Sequence, residues 1–421
     1  MLVVTANWAI ADGSAHGGPS QRAVRAFFGE LRRTAWRAGF RRDGRYRPVE
    51  SIHIVLAGDT FDGLTSLRWR GDLRPWQGGS RRESAAEQIA ADAARCGGRF
   101  LAGLGRLQRH GLAVPRADSR GRPLARSTCQ ATVRVVCLVG DRDRVLDGRW
   151  FAAIAGRHGI AIGTEWSSDT MLIRHGAECD PLCGPPDLPG WGRGPTLAES
   201  IVVDLLVDFA RRLHGAALPP ATVAAVTRPL ATAPLLELPH QIRGSRLTAD
   251  PGHPLDEHEP TVCEAWKRSV QNWHTQAHAT MPEAAVEHDV VDAVATWMEA
   301  GSDPDRRPPS RGLAAVLENL RPRPLRRSTD PRLLVLGHAP DEAGDGAGMP
   351  GRAGLFLGPT AFPSREPGEN PGDPAAVAFP VVGSRHGQWL TGSRRGFAAG
   401  RAVHVAHSGA MNDGLEVIDA A

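Results

Sequence analysis

Five short apolar runs along the chain are each followed at once by a polar motif, a pattern that predicts strands ending at a site. The runs cover residues 3–5, 52–56, 135–139, 171–173 and 333–336. The motifs after them are Asn7-Trp8-Ala9, Gly58-Asp59-Thr60-Phe61-Asp62, Gly140-Asp141-Arg142-Asp143, His175-Gly176-Ala177-Glu178-Cys179-Asp180 and Gly337-His338-Ala339-Pro340. Ligands in α/β folds lie at the carboxyl ends of strands. Aspartate and histidine side chains brought there from several strands therefore predict a metal site.

Helical periodicity occupies much of the chain between these runs. Three helices are predicted over residues 21–38, 84–109 and 196–213. Ser20 can cap the first helix, and Thr196 with Glu199 forms a capping-box pattern at the start of the third. Gly97 and Gly98 predict a break in the second helix.

The remaining segments separate into a helical middle and a strand-rich end. Residues 111–130 are polar and contain Gly and Pro, which predicts a loop. The Pro- and Ala-rich stretch 215–330 has helical pieces near 261–280, 283–300 and 310–320, which predict a helical insertion or cap. Residues 341–376 predict a loop-heavy segment, and short strands are expected near 377–382, 402–406 and 415–419.

This order of elements predicts an α/β fold built from two sheets. The specific expectation is a four-layer α-β-β-α sandwich of two mixed sheets, with a helical insertion. Residues 1–214 and 331–421 would form the core, and residues 215–330 the insertion or cap.

Composition and charge are those of an ordinary globular protein. The 421 residues are 41% hydrophobic and 23% charged, with a net charge of +4. Basic charge is nearly all arginine, because Lys267 is the only lysine. Arginines on and after the helix over 21–38 could form a nucleic-acid patch. We favour a solvated helix face, so nucleic acid is not an expected partner.

Cysteine usage and hydropathy bear on the compartment. The six cysteines form no CxxC motif, and no second pair completes a zinc site with Cys179 and Cys183. Free thiols in a reducing compartment are therefore expected. The first residues lack a signal-peptide pattern, and no apolar run is long enough to span a membrane. The cytoplasm is the expected location.

The order of the motifs resembles that of the calcineurin-like metallophosphoesterases, whose pattern is D-x-H, G-D-x-x-D, G-N-H-[DE], a later His and G-H-x-H. The second motif, residues 58–62, is intact. Residues 175–181 are similar to the H-G-H-E-F-D-P stretch of a bacterial branch of that family, and residues 357–362 resemble its N-T-G-T-W strand end. The resemblance covers most of 1–215 and 331–421.

The resemblance implies two metal sites, of which only one keeps its ligands. The degraded site corresponds to Asn7, Ala9, Asp59 and Pro340. Alanine and proline side chains offer no ligand, so a second metal ion is not expected. The other site corresponds to Asp59, Asp141, His175 and His338, all of which can ligate one divalent ion of Mn, Fe or Zn.

The position of the family's catalytic histidine corresponds to Arg142. Arginine cannot donate a proton at neutral pH, although it can contact phosphate. The resemblance therefore implies at most a weak or altered metal-dependent phosphoester hydrolase. The alternative is a catalytically inactive pseudophosphatase that binds a phosphorylated small molecule or a partner protein.

Some of these residues also have a structural interpretation. Asp59 and Asp62 could form a strand-end turn in which Asp59 caps backbone N–H groups. Both His175 and His338 could be hydrogen-bonded core histidines.

Two further groups leave alternatives open. Asp141 and Asp143 flank Arg142 and could pair with it. His274 and His278 lie four residues apart on a predicted helix and could chelate a metal. The glutamate of an H-E-x-x-H motif is absent there, so we interpret them as part of a surface helix.

Overall fold

The computed structural model describes most of the first 232 residues and several later segments. These are residues 1–15, 17–41, 43–168, 171–177, 180–183, 195–232, 235, 238–239, 242, 258–281, 288–300, 333–337, 353–356, 381–385, 388–392 and 405–406. The fold is mixed α/β.

The described strands form two sheets. The strands are β1 Leu2–Thr5, β2 Ser51–Leu56, β3 Leu112–Ala117, β4 Pro123–Leu138, β5 Ala161–Gly163, β6 Glu165–Ser167, β7 Met171–Arg174, β8 Leu333–Leu336, β9 Ala353–Phe356, β10 Val381–Arg385, β11 Gln388–Gly392 and β12 Val405–Ala406. The larger sheet has the order β11-β10-β1-β2-β4-β3, with β5 beside β4, and the smaller has the order β12-β9-β8-β7-β6. In each sheet the central strands are parallel, and β3, β6, β10, β11 and β12 pair antiparallel with their neighbours, whereas β5 is parallel to β4.

Alternate residues of the central strands face different layers, as the two-residue period of a strand requires. On β1, Val3 belongs to the large core that includes the helices, whereas Leu2 and Val4 belong to a small second cluster. That cluster also contains Met171 and Ile173 of β7, so the two sheets pack against each other there. Both faces of β1 are thus covered, which is why its residues are all buried.

Helices cover the other face of the larger sheet and extend beyond it. The helices are α1 Gln21–Arg37, α2 Ser80–Cys96, α3 Gly98–His110, α4 Asp147–Arg157, α5 Leu197–Ser200, α6 Val207–Gly215, α7 Pro220–Thr232, α8 Glu259–Thr280 and α9 His288–Glu299. A π-helical segment, Ile201–Leu206, joins α5 to α6.

The two helix caps and the helix break expected from local signals are confirmed. Ser20 Oγ accepts a hydrogen bond from the backbone N–H of Ala23 at 3.1 Å. Thr196 and Glu199 form the reciprocal capping box at the start of α5. The predicted break separates α2 from α3 at Gly97.

The face of α1 that turns away from the core is basic, as its periodicity predicts. The arginines on this exposed side are Arg22, Arg25, Arg32, Arg33 and Arg37. Arg33 is paired with Glu30 along the helix at 2.6 Å.

The prediction of a loop over 111–130 is wrong. Strands β3 and β4 form an antiparallel ribbon there, with Leu112 opposite Ala131. Its turn is held by Asp118, whose Oδ1 accepts the backbone N–H groups of Arg120 and Arg122, both at 2.8 Å. Between residues 123 and 130 the ribbon is largely solvent-exposed, so it lacks the one-sided apolar alternation by which strands are recognised.

The strand-rich end of the chain is confirmed in part. Strands β10 and β12 overlap the predicted strands near 377–382 and 402–406. Strand β9 lies inside the segment expected to be loop-heavy, so that expectation is wrong at residues 353–356. The predicted strand near 415–419 lies outside the described residues.

Helices α8 and α9 confirm two of the three helical pieces predicted in the middle of the chain. The third, near 310–320, lies outside the described residues. Trp266 and Trp273 of α8 are fully buried in the large core, and Trp273 Nε1 donates to Ser200 Oγ at 3.1 Å. Whether 215–330 forms a separate insertion or cap stays a prediction.

Two further expectations concerned the cysteines and membrane-spanning helices. Within the described residues no two cysteines are joined by a disulfide bond. No helix in the described part of the chain has the length and apolar character needed to cross a membrane.

Candidate metal centre

The polar motifs after β1 and β2 run side by side. The backbone N–H of Asn7 donates to Gly58 O at 3.1 Å, and that of Ala9 donates to Asp59 O at 3.0 Å. Asn7, Ala9 and Asp59 have φ angles of 57°, 45° and 49°. Each left-handed residue of this kind costs on the order of 1–3 kcal/mol, and such residues cluster at functional sites. Strain at these three positions marks this edge of the sheet as a candidate site.

Three of the four predicted ligands meet at this edge. His175 Nε2 lies 2.7 Å from Asp141 Oδ1 and 3.5 Å from Asp59 Oδ2. One ligand atom from each residue lies within 4.8 Å of the other two. Their side chains are only 4%, 8% and 11% exposed for His175, Asp59 and Asp141. Such a buried group of two carboxylates and one imidazole is a possible metal site.

Backbone contacts orient His175 toward the two carboxylates. Its Nδ1 lies 3.1 Å from the carbonyl oxygen of Ala57, to which a protonated Nδ1 donates. This contact leaves Nε2 directed at Asp59 and Asp141, and a carbonyl partner of this kind is usual for a metal-binding histidine. A Cβ at Gly58 would lie 2.1 Å from Nδ1. Glycine at this position is therefore required for the close approach of the imidazole.

The same carboxylates change the protonation of His175. Burial alone would lower the pKa of His175, but the charges of Asp59 and Asp141 and the hydrogen bond to Asp141 raise it to about 10. At neutral pH the metal-free imidazole therefore holds a proton between the carboxylates. A metal ion that binds Nε2 must replace that proton.

Arg142 is bound to a neighbouring carboxylate. Its Nη1 lies 3.0 Å from Oδ2 of the fully buried Asp62, and its backbone N–H donates to Asp59 Oδ1 at 3.1 Å. Burial would lower the pKa of Arg142, but the charge of Asp62, with those of two further aspartates, raises it. The guanidinium is therefore permanently charged and held by an ion pair that the sequence did not indicate.

Asp143 holds two of the motifs together. Its Oδ1 accepts the backbone N–H of Phe61 at 2.6 Å, and its Oδ2 accepts those of Gly140 at 3.0 Å and Thr60 at 3.3 Å. Burial, together with the charge of Asp59, raises the pKa of Asp143 to about 8. These contacts give Asp143 a structural role, which the sequence pattern did not distinguish from pairing with Arg142.

The remaining predicted positions lie beside the cluster or outside the described residues. Asn7 Nδ2 donates to Gly337 O at 2.9 Å, which brings the end of β8 next to the end of β1. Ala9 is buried in the same loop and offers no ligand. His338 and Pro340, immediately after Gly337, lie outside the described residues.

Asp12, in the loop that follows β1, is hydrogen-bonded to two serines away from the three candidate ligands. Its Oδ1 accepts from the backbone and hydroxyl of Ser14, and its Oδ2 accepts from the hydroxyl of Ser66 at 2.5 Å. It is not part of the group formed by Asp59, Asp141 and His175.

Asp59, Asp141 and His175 together offer ligands for one metal ion, and the guanidinium of Arg142 is a fixed positive charge next to them. Two carboxylates and an imidazole suit Mn²⁺, Fe²⁺ or Zn²⁺. Comparison with known proteins adds no assignment: no protein-family model, no curated protein and no solved structure matches this chain.

Proposed function

We propose that this chain is a metallophosphoesterase-like protein of the calcineurin-like type, with one working metal site. Asp59, Asp141 and His175 would hold a divalent ion, with His338 as the fourth protein ligand. The observation that carries the proposal is the convergence of the first three side chains at the ends of β2, β4 and β7. We also propose the finer four-layer α-β-β-α arrangement that this family has.

The chemistry of the site fits a divalent ion. Without one, Asp59 and Asp141 are compensated by a proton on His175 and by the neighbouring Arg142. When bound, such an ion supplies Lewis-acid polarisation of a phosphoryl oxygen. The chain's own residues would position the ion and the phosphate.

Two features support slow hydrolysis. Ala9 and Pro340 offer no ligand at the second metal position of the family. One of the two ions that together stabilise the attacking and leaving oxygens of the phosphate is therefore absent. Arg142 replaces the histidine that protonates the leaving group in that family, and its guanidinium is engaged with Asp62. Loss of a general acid costs on the order of 10²–10⁴ in rate.

A second candidate function follows from the ion pair between Arg142 and Asp62, because a guanidinium held by Asp62 cannot replace the missing proton donor. A pseudophosphatase could keep the fold and the metal, and bind a phosphorylated small molecule or a partner protein without turnover.

Metal analysis combined with a hydrolysis assay tests the proposal. We expect the full chain, stripped with chelator and reloaded with Mn²⁺, to bind an ion at this centre and to hydrolyse a generic phosphodiester or phosphomonoester slowly. Asp59→Ala should abolish both, because it removes a carboxylate in contact with His175. Asp72→Ala removes an exposed carboxylate and is the matched control.

The outcomes separate the two candidates. Binding of Mn²⁺ that depends on Asp59, without measurable turnover, supports the pseudophosphatase. Failure of the full chain to bind Mn²⁺, or hydrolysis that survives Asp59→Ala, would contradict the metal site itself.

A further inference from the structure

A second group of potential metal ligands lies between α8 and α9. His274 and His278, on one face of α8, both point at Asp292 of α9. The Oδ1 of Asp292 lies 2.6 Å from His274 Nε2 and 2.8 Å from His278 Nε2. The two Nε2 atoms lie 3.2 Å apart. Three ligand atoms therefore converge on one point, far along the chain from the motifs at the strand ends.

The spacing of these atoms is close to that of a tetrahedral site. With metal–ligand bonds of about 2.0–2.1 Å, ligand atoms lie roughly 3.3 Å apart. The observed separations of 2.6, 2.8 and 3.2 Å are slightly shorter, as expected when hydrogen bonds draw the groups together. A small outward movement of each side chain would admit an ion.

The charge of Asp292 favours a cation. Its Oδ1 is within hydrogen-bond distance of both imidazole Nε2 atoms, at 2.6 and 2.8 Å, so the carboxylate faces the point where an ion would lie. His288, the first residue of α9, packs its ring 4.6 Å from that of His278. These side chains are partly exposed, with 39% of His274 and 30% of His278 accessible. Solvent can therefore reach the point at which the three ligand atoms converge.

Helices α8 and α9 are already fixed to each other at the end of the pair that lies away from His274 and His278. Trp266, in the first half of α8, is fully buried and its Nε1 donates to the carbonyl of Met298 at 2.8 Å, near the end of α9. Trp273 anchors α8 to Ser200. His274 and His278 lie in the last half of α8, and Asp292 in the first half of α9. An ion held there would join the helix pair at the end that Trp266 does not reach.

We propose that His274, His278 and Asp292 bind a transition-metal ion, such as Zn²⁺, that clamps α8 to α9. Two imidazole nitrogens and one carboxylate oxygen select Zn²⁺, Co²⁺, Ni²⁺ or Cu²⁺ over Mg²⁺ and Ca²⁺, which prefer oxygen ligands. Water fills the remaining coordination. The role is structural, because binding to the folded state alone stabilises that state.

Zn²⁺ and Co²⁺ titrations of the full chain test this site separately from the one at the strand ends. In an Asp59→Ala background, which removes a ligand of the other site, we expect one Zn²⁺ to bind by calorimetry and to raise Tm. Co²⁺ should give the visible absorption of an imidazole-bound ion. Adding His278→Gln should weaken binding at least about tenfold, the loss seen even for second-shell changes at metal sites, and remove the rise in Tm.

Controls distinguish this site from general histidine binding. His110→Gln removes an exposed histidine at the end of α3 and should leave Zn²⁺ binding unchanged. Asp292→Asn, at a side chain that is 55% exposed, should weaken binding as His278→Gln does and provides a second variant if that one folds poorly. Zn²⁺ affinity and Tm shifts that are the same with and without His278→Gln or Asp292→Asn would overturn the proposal.

Discussion

Replacing Trp8 with alanine is expected to lower the free energy of unfolding by about 3–5 kcal/mol. Trp8 is fully buried between the strand-end motifs and the helices. Its ring stacks on Phe100 at 3.9 Å and meets the edge of Phe27 at 5.1 Å. Alanine would leave a cavity that these rings cannot fill without moving α1 and α3. Chemical denaturation followed by circular dichroism measures the loss.

A second tryptophan provides the control for this variant. Trp36 of α1 is 44% exposed and contacts Phe40 edge-on. Trp36→Ala should cost less than about 1 kcal/mol, because most surface substitutions have small effects. Equal losses for the two variants would contradict the packing of Trp8 in the core. Because Trp8 lies between Asn7 and Ala9, its removal should also weaken Mn²⁺ binding at the neighbouring centre.

Replacing Arg142 with alanine is expected to cost about 3–5 kcal/mol of stability. Asp62 is fully buried, and Arg142 compensates its charge at 3.0 Å. Removing the guanidinium leaves a buried carboxylate without this cation, which costs far more than losing a surface ion pair. Thermal and urea unfolding of the variant measure the effect.

Two further variants test the cause of this loss. The double variant Arg142→Met with Asp62→Asn removes both charges and keeps an acceptor for the backbone N–H of Thr65. It should be more stable than Arg142→Ala alone, although it contains one more substitution. Arg33→Ala breaks an ion pair on the exposed side of α1 and should cost only about 0.2–1 kcal/mol. A double variant less stable than Arg142→Ala would contradict a charge-based explanation.

Local features of the sequence predicted the helices well. Ser20 and the Thr196–Glu199 pair act within one turn of their own helix, so their neighbours in sequence are sufficient to specify the caps. The apolar face of α1 was likewise identified from spacing alone. The β3–β4 ribbon was missed because much of it is exposed on both faces. Where neither face of a strand is buried, apolar and polar residues need not alternate, so the sequence lacks the pattern by which a strand is recognised.

The candidate metal centre was predicted in part, because three ligands follow recognisable strand ends. The pairing of Arg142 with Asp62 was missed, because the two residues are eighty positions apart and only the parallel pairing of β2 with β4 brings them together. The left-handed conformation of Ala9 also has no local signal, since alanine disfavours it. The tertiary fold imposes that conformation.

The interpretation of His274 and His278 as part of a surface helix was correct about their exposure but incomplete. Their partner Asp292 lies on a different helix, and the packing of α8 on α9 determines which acidic residue approaches them. The sequence pattern of one helix cannot supply that information. The i, i+4 spacing of the two histidines was the only sequence signal for a metal site. The position of Asp292 on α9 supplies the third ligand that this spacing could not indicate.

The π-helical segment between α5 and α6 has a consequence for sequence alignment. In a π-helix each hydrogen bond spans five residues instead of four, so the segment Ile201–Leu206 contains more residues than a regular helix of the same rise. A related protein with an uninterrupted α-helix would need a one-residue gap between Ser200 and Val207. Without that gap, Asp208 and every residue after it in α6 would be aligned with the wrong face of the relative's helix.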